Sequence, residues 1–229
     1  MSPAPFSPEC PLVEEPLRQA LWRERACRQR LELELLATQT ALAQAQAELV
    51  AARTGARNQR HEAMHDSLTT LPNRRGFLEH LDQMLTRPEL VDSAMAVLYL
   101  DLDGFKAIND QHGHAIGDEL LRIVALRLNR AVRTSDMMSR LGGDEFACLL
   151  LESPMNRLLL EAMADKMYDT VSAPIHLGAL RLQVRPSIGI ALYPEHGLSA
   201  AALIRHADAA MYQAKRAQSR FRFFTAAEG

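Results

Sequence analysis

Apolar residues return at alternating steps of four and three along the first quarter of the chain. From Leu17 the steps reach Leu21, Glu24, Arg28, Leu31, Leu35, Thr38, Leu42, Ala45, Leu49, Ala52 and Ala56, a heptad with leucine at a recurring core position. Alanine, leucine, arginine, glutamine and glutamate crowd this stretch, and after Pro16 only Gly55 interrupts it before Arg60, which is the composition of a helix. At about 1.5 Å per residue, a helix from Leu17 to Met64 is on the order of 70 Å long, against a radius of gyration of roughly 15 Å for the remainder. We therefore expect it to project. A lone helix of this kind leaves its leucine stripe in water, and a parallel coiled-coil dimer covers it; the competing arrangement is a helix folded back as a hairpin on the globular part. Glu24 and Arg28 at core positions weaken the first half and either set the register or mark fraying.

From Asp66 onward the pattern breaks into alternating helical and strand-like blocks. Leu71-Pro72-Asn73-Arg74 reads as a turn and Gly76 to Leu85 as a helix. Ala94 to Leu100 is continuously apolar and ends in Asp101, as a buried central strand does. Gly117 to Val132 is an amphipathic helix, and Gly142-Gly143 lies between two short strand candidates, which marks a hairpin turn. Met155 to Val171 is helical, Leu182 to Tyr193 strand-like, Ala200 to Arg216 helical, and Phe221 to Phe224 a candidate edge strand. Strands and helices alternating around a central hairpin predict an α/β or α+β sandwich of the palm type. Residues 1–15 are expected to be disordered or irregular, 16–63 to form the coiled-coil helix and 64–229 the globular domain.

The chain has 229 residues, enough for one full domain and a remainder, and its 48% hydrophobic content is that of a chain that folds. With 26 basic and 28 acidic residues the net charge is −2. That balance gives no broad attraction to nucleic acid or to an anionic membrane, so a phosphate ligand has to be gripped locally. Cys10, Cys27 and Cys148 are scattered and odd in number, which points to neither disulfides nor a metal cluster and fits a reducing cytoplasm. No segment approaches the roughly 18 apolar residues of a membrane span.

Asp101 and Asp103 end the apolar strand, and we expect only one of them to point into a given cleft. Asp144-Glu145 follows two glycines, where bare backbone lets a bulky ligand come close. Carboxylates from two separate elements suit a hard cation such as Mg²⁺ when phosphates supply the remaining oxygens. From spacing alone, solvated turn carboxylates are an equal reading.

Gly142-Gly143-Asp144-Glu145-Phe146, preceded by Arg140-Leu141, is similar to the signature of the GGDEF-domain diguanylate cyclases. Asp101-Leu102-Asp103-Gly104-Phe105-Lys106-Ala107-Ile108-Asn109-Asp110 resembles the family's strand-end motif, Leu68 to Arg75 its opening, and Ser187 to Ala191 its late strand. The resemblance spans about residues 64 to 220 and implies an α+β fold (an α/β sandwich), palm-like with a central, mainly antiparallel sheet flanked by helices. With 64–229 as the catalytic domain, it also implies condensation of two GTP into cyclic di-GMP with release of two pyrophosphates. It implies two Mg²⁺ (or Mn²⁺) per half-site, held by Asp101, Asp144 and the backbone carbonyl of Leu102. Asp144 would accept the 3′-hydroxyl proton, or metal activation of the hydroxyl would replace it. Lys106 would neutralise phosphate charge in the transition state. Asn109 and Asp118 would read guanine, and His114 would be a further substrate contact or simply a loop histidine. Gly142 and Gly143 would border the substrate, and Glu145 would be a secondary metal or hairpin-stabilising group. Lys215 would touch the terminal phosphates.

The chain departs from this pattern at Thr70, where the family has glycine, and at Gln218 and Ser219, where it has glycine and a second phosphate-binding base. Arg216 or Arg220 is the expected substitute. Arg133-Thr134-Ser135-Asp136 has the form and offset of the family's inhibitory site for cyclic di-GMP. Each domain would bind one GTP, so the expected active form is a homodimer, answering to an upstream sensor protein or ligand. The competing function is a noncatalytic receptor for GTP or cyclic di-GMP that signals through the coiled coil.

Overall fold

The computed structural model describes residues 11–86, 94–152 and 156–225. Two compact units divide at Asn58–Gln59, a few residues before the expected boundary at 63/64. The first unit consists of the bulk of α1 (Pro11–Met64). This helix runs unbroken and begins before the expected residue 16, with Pro16 inside it. Residues 1–10 lie outside the described residues. Leu17, Leu21, Leu31, Leu35, Leu42 and Leu49, all on the heptad positions, are exposed. Arg28 pairs with Glu32 and Arg30 with Glu34, each at 3.1 Å, worth about 0.3–0.5 kcal/mol apiece on an exposed helix. Among the described residues no helix is long and apolar enough to cross a membrane.

The second unit is a three-layer sandwich. Its helices and strands follow in the order α2 (Arg74–Leu85), β1 (Ala94–Asp103), α3 (Phe105–His112), α4 (His114–Ala131), β2 (Met137–Gly142), β3 (Glu145–Glu152), α5 (Arg157–Ser172), β4 (Ile175–Leu177), β5 (Leu180–Leu182), β6 (Arg185–Tyr193), α6 (Ala200–Arg216) and β7 (Phe221–Phe223). The main sheet has the order β2-β3-β1-β6-β7. Every pairing in it is antiparallel except β6 with β7, so β1 lies in the middle, hydrogen-bonded on both sides. The expected mainly antiparallel sheet with helices on both faces is what forms.

Alternation along β1 assigns the two faces. Ala96, Leu98, Leu100 and Leu102 pack with α4 and α5 through Leu120, Val124, Leu128, Leu160 and Met167. Met95, Val97 and Tyr99 pack with α2 and α6 through Phe77, Leu81, Leu203, Ala207 and Met211. Side chains two apart share a face, so Asp101 and Asp103 both emerge on the α6 side, which corrects the expectation that only one of them can point into a given cleft.

Some boundaries differ from the sequence pattern for local reasons. The short α3 was not expected; it follows Gly104 in a left-handed conformation (φ 76°). α4 starts at His114, three residues before the expected Gly117. The stretch Leu182–Tyr193 is two strands, because β5 turns back on β4 before β6 begins at Arg185. α5 starts at Arg157, where Asn156 caps it by accepting from Leu158 N; the expected start at Met155 lies outside the described residues.

Gly189 in β6 sets how closely α6 approaches the sheet. A Cβ there would lie 1.9 Å from Ala207 O and 2.2 Å from Met211 N, and backbone cannot swing aside as a side-chain tip can. Gly189→Ala should destabilise the domain by about 3 kcal/mol or more, lowering the melting temperature by about 10 °C in a thermal scan; a change below about 2 °C contradicts this packing.

Candidate active site

Three carboxylates gather where β1 ends. Lys215, from the last turn of α6, places its Nζ 2.5 Å from Asp101 Oδ1 and 3.7 Å from Asp103 Oδ1. Buried Ser187 donates from Oγ to both oxygens of Asp103, at 3.0 and 3.1 Å. Asp144 joins them from the β2–β3 turn. Partial burial pushes its carboxyl above the ordinary carboxylate range, and the charge of Asp101 adds to this. Asp103 is likewise raised by burial, against the opposing effects of Ser187 and Lys215. Burial works against the charge on Lys215, yet the three surrounding aspartates hold its pKa above the usual lysine value.

The turn is fixed by Arg140. Its Nε and Nη2 donate to Gly143 O at 2.9 and 2.8 Å, and its Nη1 donates to both carboxylate oxygens of Asp66 at 2.9 and 3.0 Å. The two side chains are only 10% and 20% exposed, so this charged pair is well shielded from water. Asp66 Oδ1 also accepts from Thr69 N and Oγ1. Gly143 has φ 53° and Gly142 φ 146°, which is the reason glycine is needed at both, and a side chain at either would meet nothing within 4 Å. The space beside the turn is open.

Glu145 opposes Asp101 across the β1–β3 ladder and is held by Arg74, whose Nη2 lies 3.3 Å from its Oε2. Leu102 sits one residue beyond the end of that ladder. Its side chain is buried in the core, leaving its backbone carbonyl as the group that could reach a metal. Lys106 is exposed in the first turn of α3.

Asn109 of α3 and Gly117 of α4 abut: a Cβ on Gly117 would lie 1.9 Å from Asn109 Oδ1. That oxygen is buried and has no hydrogen-bond partner among the described residues. A buried acceptor in this state costs free energy until a donor reaches it. His114 and Asp118 are exposed one turn apart on α4 and so share a helix face.

Arg133 and Asp136 lie apart from the carboxylates, in the turn between α4 and β2. Arg133 N donates to Asp136 Oδ2 at 3.0 Å and Asp136 N to Arg133 O at 3.1 Å. Thr70 (φ 61°) and Gln218 (φ 52°) are the non-glycine residues with left-handed backbone among the described ones. Both stand where the family pattern has glycine, and each strains the chain by about 1–2 kcal/mol. Arg220, one of the expected substitutes for the missing base, is engaged elsewhere. It bonds Asp165 and Asp169 at 3.1 Å each and lies over the Tyr168 ring.

Sequence reasoning left Asp66, Arg74 and Ser187 without a role. Asp66 and Ser187 reach the site only through tertiary contacts with residues 74 and 84 positions away, and no local pattern signals such pairs.

The chain belongs to the GGDEF family. The family profile described as "Diguanylate cyclase, GGDEF domain" matches residues 63–220. "Diguanylate cyclase TpbB" of Pseudomonas aeruginosa (strain UCBPP-PA14) is 46% identical over 159 residues, covering 68% of this chain and 36% of that protein. "Cyclic di-GMP phosphodiesterase PdeR" of Escherichia coli (strain K12) is 42% identical over 150 residues, covering 66% of this chain and 22% of that protein. The chain thus spans about a third or less of the length of these relatives. The crystal structure of the coiled coil and GGDEF domain of DgcB from Caulobacter crescentus, in complex with c-di-GMP, superposes with a TM-score of 0.72 at 27% identity. It covers 82% of this chain and 98% of that one.

The Arg140–Asp66 clamp yields a pH prediction. Burial raises the Asp66 carboxyl, but the hydrogen bonds from Thr69 and Arg140 outweigh it and leave the pKa below its ordinary value. A depressed folded pKa stabilises the protein above the unfolded pKa, and the gain is lost as pH falls through the folded value. Asp66→Asn should therefore cost about 2 kcal/mol at pH 7. The gap to wild type should stay level down to pH 5 and shrink below about pH 4 in denaturant titrations. A gap independent of pH contradicts the clamp.

Proposed function

We propose that the chain is a diguanylate cyclase that condenses two GTP into cyclic di-GMP and two pyrophosphates, each domain of a homodimer supplying half of the active site. The observation that carries this is the ammonium of Lys215 set against Asp101 and Asp103 with Asp144 beside them. Three carboxylates face one cation, and the charge on Asp144 is disfavoured, so the cluster suits additional positive charge. Among the described residues no three or more His, Cys, Asp or Glu side chains form a closed metal site. A hard cation bound by one or two carboxylates and completed by substrate phosphates needs no such cage.

Asp101, Asp144 and the Leu102 carbonyl would hold Mg²⁺ or Mn²⁺, which when bound supplies Lewis-acid polarisation of the α-phosphate and stabilises the leaving pyrophosphate. Asp144 would accept the 3′-hydroxyl proton, or the metal would activate the hydroxyl in its place, since a metal-bound carboxylate is a weak base. Lys106 in the first turn of α3 would offset phosphate charge. Asn109 Oδ1, buried and unpartnered, would accept from the donor edge of guanine beside Asp118. Adenine lacks that edge and would leave the acceptor unpaired. His114, on the Asp118 face of α4, would be a further contact, and Glu145, held by Arg74, would stabilise the hairpin.

Two GTP molecules must meet face to face, so turnover depends on pairing two domains. The exposed leucine stripe of α1 would pair as a parallel coiled coil and raise their effective concentration. Arg133 and Asp136 would bind cyclic di-GMP as an inhibitory site, with Asp136 already oriented by the Arg133 N–H. We place the protein in the cytoplasm, with an upstream protein or ligand acting through α1. A second reading, a domain that binds GTP or cyclic di-GMP without turnover, is favoured by Ser219 in place of a phosphate-binding base and by the phosphodiesterase name of the PdeR match.

The 229-residue chain with Mg²⁺ and GTP should yield cyclic di-GMP by chromatography, and Asp144→Ala should lower the rate at least 100-fold, as loss of a proton acceptor and metal ligand does (roughly 10²–10⁴). GTP binding without product from wild type selects the receptor reading. In progress curves Arg133→Ala should abolish the plateau caused by accumulating product; an unchanged plateau removes the inhibitory site.

A further inference from the structure

Beside the carboxylates lies a cavity of about 460 Å³, lined by Asp103, Tyr168, Arg185, Pro186, Lys215, Gln218 and Ser219. It contains the position of the missing base, Ser219, but neither of the expected substitutes, Arg216 and Arg220. Arg220 is bonded to Asp165 and Asp169.

Arg185 is the other cation of this cavity. It opens β6 and pairs in register with Asp103 on β1, so their side chains share a sheet face, as directly opposed residues do. Asp103 nevertheless bonds Ser187 and Lys215. The guanidinium of Arg185 makes no hydrogen bond or ion pair to another described residue. Lys215 is already set against Asp101 and Asp103, so its charge is largely offset, whereas that of Arg185 is not. A polyanion entering the cavity would meet an exposed planar fork able to grip a phosphate with two parallel N–H bonds.

We propose that Arg185 supplies the second cationic contact to the terminal phosphates of the nucleotide, from the strand across the cavity rather than from the residues after α6. The inference rests on the nucleotide-binding reading above. It assigns a phosphate-gripping role to a residue 34 positions before Ser219 in the sequence.

Calorimetry of the full chain at fixed Mg²⁺ with GTP, GMP and inorganic pyrophosphate tests it. Arg185→Ala should weaken GTP and pyrophosphate binding by about tenfold or more, the scale of one lost charge-assisted bond, and leave GMP binding and the melting temperature unchanged. Arg216→Ala should leave all three affinities unchanged. Equal loss for GMP and GTP, no loss for either phosphate ligand, or the loss appearing in Arg216→Ala instead overturns the role of Arg185 while GTP binding by wild type still stands. Failure of wild type to bind GTP at all overturns the nucleotide reading itself, and this inference with it.

Discussion

The second unit is organised around an electrostatic constraint: three carboxylates held together at the end of a strand that is paired on both sides. Asp101 and Asp103 cannot move apart, because β1 is fixed by β3 and β6 and its other face is buried against α4 and α5. In water such side chains would separate. Here burial raises Asp103 and Asp144, and Lys215 is drawn in from α6 to offset the charge. α6 can deliver that lysine only because Gly189 lets the helix lie directly on β6. Packing and site chemistry are therefore coupled through one glycine.

The hairpin presenting Asp144 is subject to a second constraint. A turn with two left-handed or near-left-handed glycines has little stiffness of its own. Arg140 supplies it by gripping the Gly143 carbonyl with one edge of its guanidinium and Asp66 with another group. The pair is well shielded, so losing either partner would leave a poorly solvated charge. Asp66 lies in the loop that follows α1, so the segment leaving the helix and the turn carrying Asp144 are tied by one arginine.

Much of this was legible in the sequence. The heptad leucines marked α1, and the bounds of α6 were readable because its apolar period runs uninterrupted between Ser199 and Ala217. The motif residues were legible as a set because their spacing is characteristic. Their geometry was less so. The shared face of Asp101 and Asp103 follows from strand alternation, and it corrects the expectation that one of them points away. The eight-residue α3 carries too few residues to show a period. The break between β5 and β6 depends on a hairpin whose strands are three residues long. Arg185 was invisible because its proximity to Asp103 is set by the β1–β6 register across 82 residues, which no local pattern encodes.

The central claim is that the Asp101–Asp144 cluster is built for a divalent cation and that Lys215 belongs with the phosphates. Anomalous scattering from Mn²⁺ in crystals of the full chain grown with a non-hydrolysable GTP analogue tests it directly. Mn²⁺ density is expected between Asp101 and Asp144, with Lys215 moved from Asp101 onto the nucleotide phosphates. Bound nucleotide with no Mn²⁺ at these carboxylates, and Lys215 still paired to Asp101, would contradict it.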